Sequence, residues 1–444
     1  MLIKCRISAE MGIIMKIREW SNLAKQDKDF VMRRAELDIT EYIGIAQEVS
    51  SNVRANGDVA LIKYTEKFDG VKLATDKIKV TQKEIDDGYN RLDEKIRKAI
   101  EYATKNIRNF HEKQMPEEMW FTEVDKGLIV GEKTTPITDV CLYVPRGKGS
   151  YPSVLLMLGI PSIVAGVPKI IVTTPPNENG DVDDAILAAA KIIGITEIYK
   201  VGGIQAVSAV AFGTGTIPKC HKIIGPGNAY VTAAKRVLSN YIDTGLPAGP
   251  SEAIILCDEL ADPHKVALDW MIEAEHGPDS ASLLVTHSKE LVDKVLPIVN
   301  EQLLKISLKR KEFIEKNFDT YGGVILTESL EASIDFVNEY APEHMEVMTK
   351  MPFDILPKIK NAGEILLGEY TPVTLCNFLL GPNAILPTGG FAKTYSSVSV
   401  FDFLKRSSIG YASKDGFENV RENAYIFALA EGFDTHALAV KERK

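Results

Sequence analysis

Apolar and polar positions in the first quarter of the chain recur at helical spacing, and the pattern predicts a mostly helical segment from about Ile17 to Gln114. It is clearest where Ile85, Tyr89, Leu92, Ile96, Ile100, Ala103, Ile107 and Phe110 mark one face. Such a segment suits a scaffold or a dimerisation arm. Beyond it the period changes. "VCLYV", "KIIVTT", "EIYKV", "HKII", "AIILC", "SLLVT", "GVIL" and "EILLG" are short β-rich runs with helical stretches between many of them. That alternation predicts an α/β fold with largely parallel sheet covered on both faces, and its length predicts two such units in succession. From about Ala384 the rhythm is lost, and the chain ends in the amphipathic "FENVRENAYIFALAEGFDTHALAV". The expected organisation is an N-terminal helical segment over 1–120 and two Rossmann-like domains over 121–250 and 251–383. A C-terminal tail over 384–444 would pack on a neighbouring molecule.

Composition narrows the function. The 444 residues, 45% hydrophobic and 25% charged, are those of an ordinary globular protein. A formal net charge of −9 argues against nucleic acid as a partner. No apolar run reaches the ~18 residues of a membrane span, and the opening "MLIKCRISAEMGIIMKIREW" holds no signal-peptide core. Met11 or Met15 is a candidate alternative start. The five cysteines are odd in number, far apart and never in a C-x-x-C pair, which fits a reducing compartment and predicts a cytoplasmic location.

Candidate chemistry begins with "ADPHKVALDWMIEAEHGPDS". Asp262 can cap a helix with Pro263 at its first position, and Gly277-Pro278 stop it. Glu273 and His276, three apart at its end, share a face and could grip one ligand; alternatively, His276 merely favours the negative end of the helix dipole. Two strand-to-helix junctions, "HKIIGPGNAYVTAAKRVL" and "KVGGIQAVSAVAF", could cradle an anion or be plain turns, since neither carries the full six-residue dinucleotide fingerprint. In "NEYAPEHMEVMT", Pro342 leaves Glu343 and His344 at a loop-to-strand transition, where they could form a general-base pair. On a regular strand, neighbours face opposite ways, so joint action requires irregular backbone. Of seven histidines, His276, His344 and His436 each have glutamates within a few residues, a mixture that suits zinc or a similar divalent metal. His111, His221, His264 and His287 read as surface or strand-edge residues. Cys141 reads as a buried strand cysteine rather than a nucleophile.

Six stretches in order, "LYVPRGKGSYPSVLLMLGIPSIVAGVPKIIVTTPP", "YKVGGIQAVSAVAFGTGTIPKCHKIIGPGNAYVTAAKRVL", "LPAGPSEAIIL", "AEHGPDS", "YAPEHMEVM" and "GPNAILPTGG", resemble the histidinol dehydrogenase family from about residue 17 to the end. That resemblance implies an aldehyde/histidinol dehydrogenase-like fold. It also implies a homodimer with one zinc per subunit that oxidises an amino alcohol through an aldehyde to the acid with two NAD. Glu343 would activate water and His344 would act as general base. Tyr143, Gln205 and Asn228 fall at the family's NAD-contacting positions. Ser251, Glu273, His276, His344, Asn377, Glu431 and His436 fall at substrate-contacting ones. The zinc positions correspond to Glu273, His276, Asn377 and His436, the last supplied by the other subunit.

The chain departs from the family's pattern in two ways. Glu273 stands where glutamine is usual and Asn377 where aspartate is usual, which leaves the charge of the ligand set unchanged. Ala384 replaces a substrate-contacting histidine, and Asn377-Phe378 replaces an aspartate-tyrosine pair. The default substrate is L-histidinol. The alternatives are another small polar alcohol, of amino, hydroxy-acid or sulfonated diol type, or a catalytically silent binding protein.

Overall fold

The computed structural model describes residues 3–5, 15–34, 39–146, 149–247 and 249–443; Met11 lies outside them. Two short strands open the chain, β1 (Ile3–Cys5) and β2 (Met15–Glu19), followed by the helices Lys25–Arg33, Thr40–Asn56, Asp58–Asp69, Gln82–Arg91 and Glu94–Glu112. A hairpin of β3 (Met119–Asp125) and β4 (Leu128–Pro136) comes next. After it run β5 (Val140–Tyr143), β6 (Ile170–Thr174), β7 (Ile198–Lys200) and β8 (Ile223–Ile224). The strands β9 (Glu252–Cys257), β10 (Ala281–Thr286), β11 (Gly323–Leu326), β12 (His344–Met348) and β13 (Glu364–Leu367) build the second half, and β14 (Leu404–Ala412) begins the tail.

These strands form three sheets. The first is parallel and four-stranded, in the order β7-β6-β5-β8. The second has seven strands, in the order β1-β2-β11-β10-β9-β12-β13, all parallel except the β1 pairing. The eight β-rich runs of the sequence all lie on these strands. Alternation along β5 shows why the first sheet is covered twice. Val140 and Leu142 join one apolar cluster, while Cys141 and Tyr143 join the other.

The expected helical segment over 1–120 is corrected at its start, where β2 extends the seven-stranded sheet beside β11. Its charges conceal it in the sequence. Arg18 is buried, and its guanidinium donates to the carbonyls of Gly322 and Thr320 at 2.7 and 2.8 Å. The later N-terminal helices cover both faces of the first sheet rather than forming a free arm. Val49, Val53 and Leu61 pack on one face, and Ile85, Ile100 and Ile107 on the other. The single apolar stripe expected there is two helices, broken where Asp93 caps the second, and it leaves Ile96 exposed. His111 is buried on that helix rather than at the surface, with Nδ1 2.8 Å from Gln114 Oε1.

The span 121–250 also differs from expectation. The β3–β4 hairpin leaves the parallel sheet and pairs with β14 in an antiparallel three-stranded sheet. The tail divides likewise: Ile385, Val398, Val400 and Phe403 enter the first sheet's core, and only β14 and the helices Lys414–Ala430 and Asp434–Lys441 stand apart. Among the described residues, no helix is long and apolar enough to cross a membrane.

Candidate active site

The sequence-singled groups at the first sheet gather at the C-terminal ends of its strands. Tyr143 ends β5, and its hydroxyl accepts a hydrogen bond from Gly203 N at 3.1 Å. Gln205 lies in the first turn of the helix Gly203–Phe212; its Nε2 donates to Asp69 at 3.2 Å, while its buried Oε1 has no hydrogen-bond partner. Burial pushes the Asp69 carboxyl up to about 6. Asn228 is exposed and caps the helix Ala229–Leu238 by accepting from Val231 N. Gly225 between them has φ +134°, and a Cβ there would stand 2.2 Å from the Tyr143 carbonyl oxygen. Backbone approach and an exposed helix N-terminus at a strand's C-terminal end suit a dinucleotide.

The acid-base candidates gather at the opposite edge of the seven-stranded sheet, where its strands begin. Asp262 caps the helix Pro263–Ala274 as the sequence predicts. The helix returns antiparallel to β9, so Glu273 in its last turn arrives beside the start of that strand. His276 lies just beyond the helix end, with Nδ1 2.8 Å from Glu273 Oε2 and 3.1 Å from Ser251 Oγ. The Asn377 amide, on the helix Val373–Phe378, faces the same carboxylate. Glu273 is completely buried, yet neither of its oxygens receives a well-directed hydrogen bond.

Glu343 and His344 are brought together by the irregularity that their spacing requires. The helix Leu330–Tyr340 ends at Ala341, a non-glycine residue at φ +55°, so the chain enters β12 through a left-handed turn. Glu343 Oε2 accepts from Glu252 N at 2.8 Å, and Oε1 stands 3.8 Å from His344 Nε2. On its other side, His344 Nδ1 meets the Glu364 carboxylate, whose second oxygen accepts from the Cys376 thiol. Glu252 in turn is paired with Arg34, whose guanidinium lies on the Tyr340 ring.

The charges are unbalanced. Burial pushes the Glu343 carboxyl up to about 8. Burial would lower His344, but Glu364, Glu343 and Glu273 together hold it up at about 10. Burial would likewise raise Glu273, but the His276 and His344 imidazoles hold it down at about 2. Four buried carboxylates, Glu252, Glu273, Glu343 and Glu364, therefore share one compartment with two imidazoles and Arg34. A compartment that is short of positive charge when its four carboxylates are ionised, and whose Glu273 oxygens receive no well-directed hydrogen bond, fits a divalent cation.

Glu431 and His436 are not brought to this site. Both are exposed on the tail, where His436 lies against the Phe433 ring. Among the described residues, no group of three His, Cys, Asp or Glu side chains is placed to hold a metal. One chain by itself offers Glu273, His276 and the Asn377 amide. Ala384 packs against the first sheet's core, and Phe378 is half exposed.

Sequence reasoning missed Glu252, Glu346 and Glu364. All three are buried glutamates inside apolar strand runs, "SEAIIL", "HMEVM" and "GEILLG", and that misplacement was the available signal. Cys141 is buried as expected, and burial pushes its thiol well above its usual range.

The profile described as histidinol dehydrogenase matches residues 32–444. A Colwellia psychrerythraea protein described as a histidinol dehydrogenase homolog is 48% identical over 427 residues, 96% of each chain. A Synechocystis histidinol dehydrogenase is also 48% identical, over 97% of this chain and 99% of its own. The crystal structure of histidinol dehydrogenase from Elizabethkingia anophelis superposes with a TM-score of 0.90 at 34% identity, covering 98% of both chains. Sequence and architecture thus agree over nearly the whole length, and the chain belongs to the histidinol dehydrogenase family, a family of NAD-dependent oxidoreductases.

Proposed function

We propose that the protein oxidises a small polar alcohol with NAD, with L-histidinol as the default substrate and two hydrides removed in succession to give L-histidine. The observation that carries this reading is the convergence of the buried Glu343, His344 and Glu273 with the more exposed His276 at one edge of the seven-stranded sheet. Zinc held by Glu273, His276, Asn377 and His436 of the partner subunit would polarise the alcohol oxygen. With a divalent cation balancing the carboxylates, His344 would be neutral and Glu343 ionised, so that His344 Nε2 takes the hydroxyl proton as hydride leaves the carbinol carbon for NAD. Glu343 then takes a proton from the water that adds to the aldehyde, and the hydrate loses a second hydride to a second NAD. Tyr143, Gln205 and Asn228 mark the cofactor's side, while Ser251 and Glu431 contact substrate.

The tail argues for a homodimer with shared sites. Ile426, Phe427, Phe433 and Leu438 are exposed there, as are Trp120 and Phe121 on β3, and a second copy would cover such a surface. Glu431 and His436 travel with that element. The composition fits a cytoplasmic location and argues against nucleic acid as a partner.

A different small alcohol is the second reading, favoured by Ala384 and Phe378, which offer no hydrogen bond to a substrate tail. The deciding measurement is moles of NADH per mole of limiting L-histidinol with zinc-loaded protein. Two per substrate, falling to one at most in Glu343→Ala, is the expected result. No NADH with metal bound would reject L-histidinol, and Ala384→His should then raise its turnover.

A further inference from the structure

Glu364 takes no part in the proposed proton transfers, yet it is the most closely engaged neighbour of His344. β12 and β13 run parallel with His344 directly opposite Glu364. The backbone fixes that register next to the base: Glu364 N donates to the Glu343 carbonyl at 3.0 Å, and Gly363 N donates to the Pro342 carbonyl at 2.9 Å. The opposite neighbour of His344 is Ala253 on β9, too small to contact the ring's polar edge. The Glu364 carboxylate is buried with both oxygens engaged, one by His344 Nδ1 and the other by the Cys376 thiol. A cleft of about 400 Å³ runs past it, between Phe110, Leu380 and Ser397.

We propose that Glu364, anchored by Cys376, is the positioning residue of the base, committing His344 Nδ1 to a carboxylate so that Nε2 is the nitrogen presented to Glu343 and the substrate. The proposal rests on the reading of His344 as proton acceptor. The physical reason is tautomeric. An imidazole that donates through Nδ1–H has its lone pair on Nε2, and an acceptor behind Nδ1 also stabilises the ring once it takes a second proton. Without that acceptor the ring can turn or adopt the other tautomer, and the proton has no directed place to go. Proton balance is simple. One proton moves from the substrate hydroxyl to Nε2, Nδ1 keeps its own, and Glu364 remains a carboxylate throughout.

The test uses metal-loaded, full-length protein with NAD and the alcohol it turns over, comparing Glu364→Gln, Glu364→Leu, His344→Asn and the double variant His344→Asn/Glu364→Leu. Glu364→Leu should lower kcat by about 100-fold with KM for alcohol and NAD within about twofold, because only orientation of the base is lost. Glu364→Gln, which keeps the shape and an accepting oxygen, should fold as the parent does and lose about tenfold. The double variant should be no slower than His344→Asn alone, as expected of residues that act as a unit. Glu364→Gln and Glu364→Leu at parental kcat beside an inactive His344→Asn would overturn the positioning role alone. So would losses that multiply in the double variant, or a rise in KM at constant kcat. Parental turnover in His344→Asn would overturn the reading of His344 as base, and the positioning role with it.

Discussion

The two parallel sheets use opposite edges. In the four-stranded sheet the candidate ligand contacts lie where strands end, at Tyr143, at Gly203 after β7 and at Gly225 after β8, and they rely on glycine, backbone amides and a helix N-terminus. In the seven-stranded sheet the candidate chemistry lies where strands begin, at Glu252, His344 and Glu364, and it is built from buried charge. An arrangement of the first kind can bind phosphate at little electrostatic cost. The second concentrates carboxylates that are expensive to bury unless protons or a cation accompany them. The proposed function thus separates cofactor holding and proton handling onto surfaces with different physics.

That separation can be broken experimentally. The largest effect is expected for His344→Ala or Glu343→Ala, which should reduce turnover by about 1000-fold while leaving the dissociation constant for NAD unchanged. Gln205→Ala should do the reverse, raising KM for NAD with kcat nearly intact. Steady-state kinetics on both sets reads the contrast directly, and equal effects on both parameters would erase it. Next comes Glu273→Leu, expected to reduce bound zinc from about one per chain to near none while the fold survives, because one of several crowded buried carboxylates has been removed. Metal analysis with circular dichroism checks this, and full zinc occupancy in the variant would remove Glu273 from the ligand set.

A smaller effect is expected from Gly225→Ala. The added Cβ meets the Tyr143 carbonyl oxygen at 2.2 Å with φ at +134°, so a cost of about 1–3 kcal/mol should appear as a lower thermal midpoint and weaker NAD binding. An unchanged midpoint would show that the turn can relax. The smallest concerns Asp69, raised from 3.8 to about 6 by burial. Such a group favours the folded state fully below about pH 3.8, and that contribution is lost as pH rises through about 6. Asp69→Asn keeps an acceptor for Gln205 and should therefore stabilise the protein at pH 8 by on the order of 1 kcal/mol, discounted for partial exposure. The gain should fade below pH 6 in melting curves, and a pH-independent change would assign it to packing.

Some of this was legible before any coordinates. The helix that carries Glu273 was marked by Asp262 and Pro263, and the strand-to-helix turns at Gly203 and Gly225 by their glycines, because caps and turns are local requirements. β2 was hidden because Arg18 is satisfied only by carbonyls some 300 residues away in sequence. The β3–β4 hairpin is not among the strands the sequence marks, because both of its strands are largely exposed or half-exposed and their partner β14 is contributed by the tail.

By itself the sequence determined the alternation of helix and strand, the two parallel units and the placing of Glu343 and His344 at a loop-to-strand transition, since periodicity, caps and a proline act over a few residues. Only the tertiary structure decided which charges share a compartment. It set Glu364 opposite His344, Glu252 N on Glu343 and Asn377 facing Glu273, and it left His436 out on the tail. Strand register and helix return bring together groups that are tens to hundreds of residues apart, and no local pattern records which of them will meet.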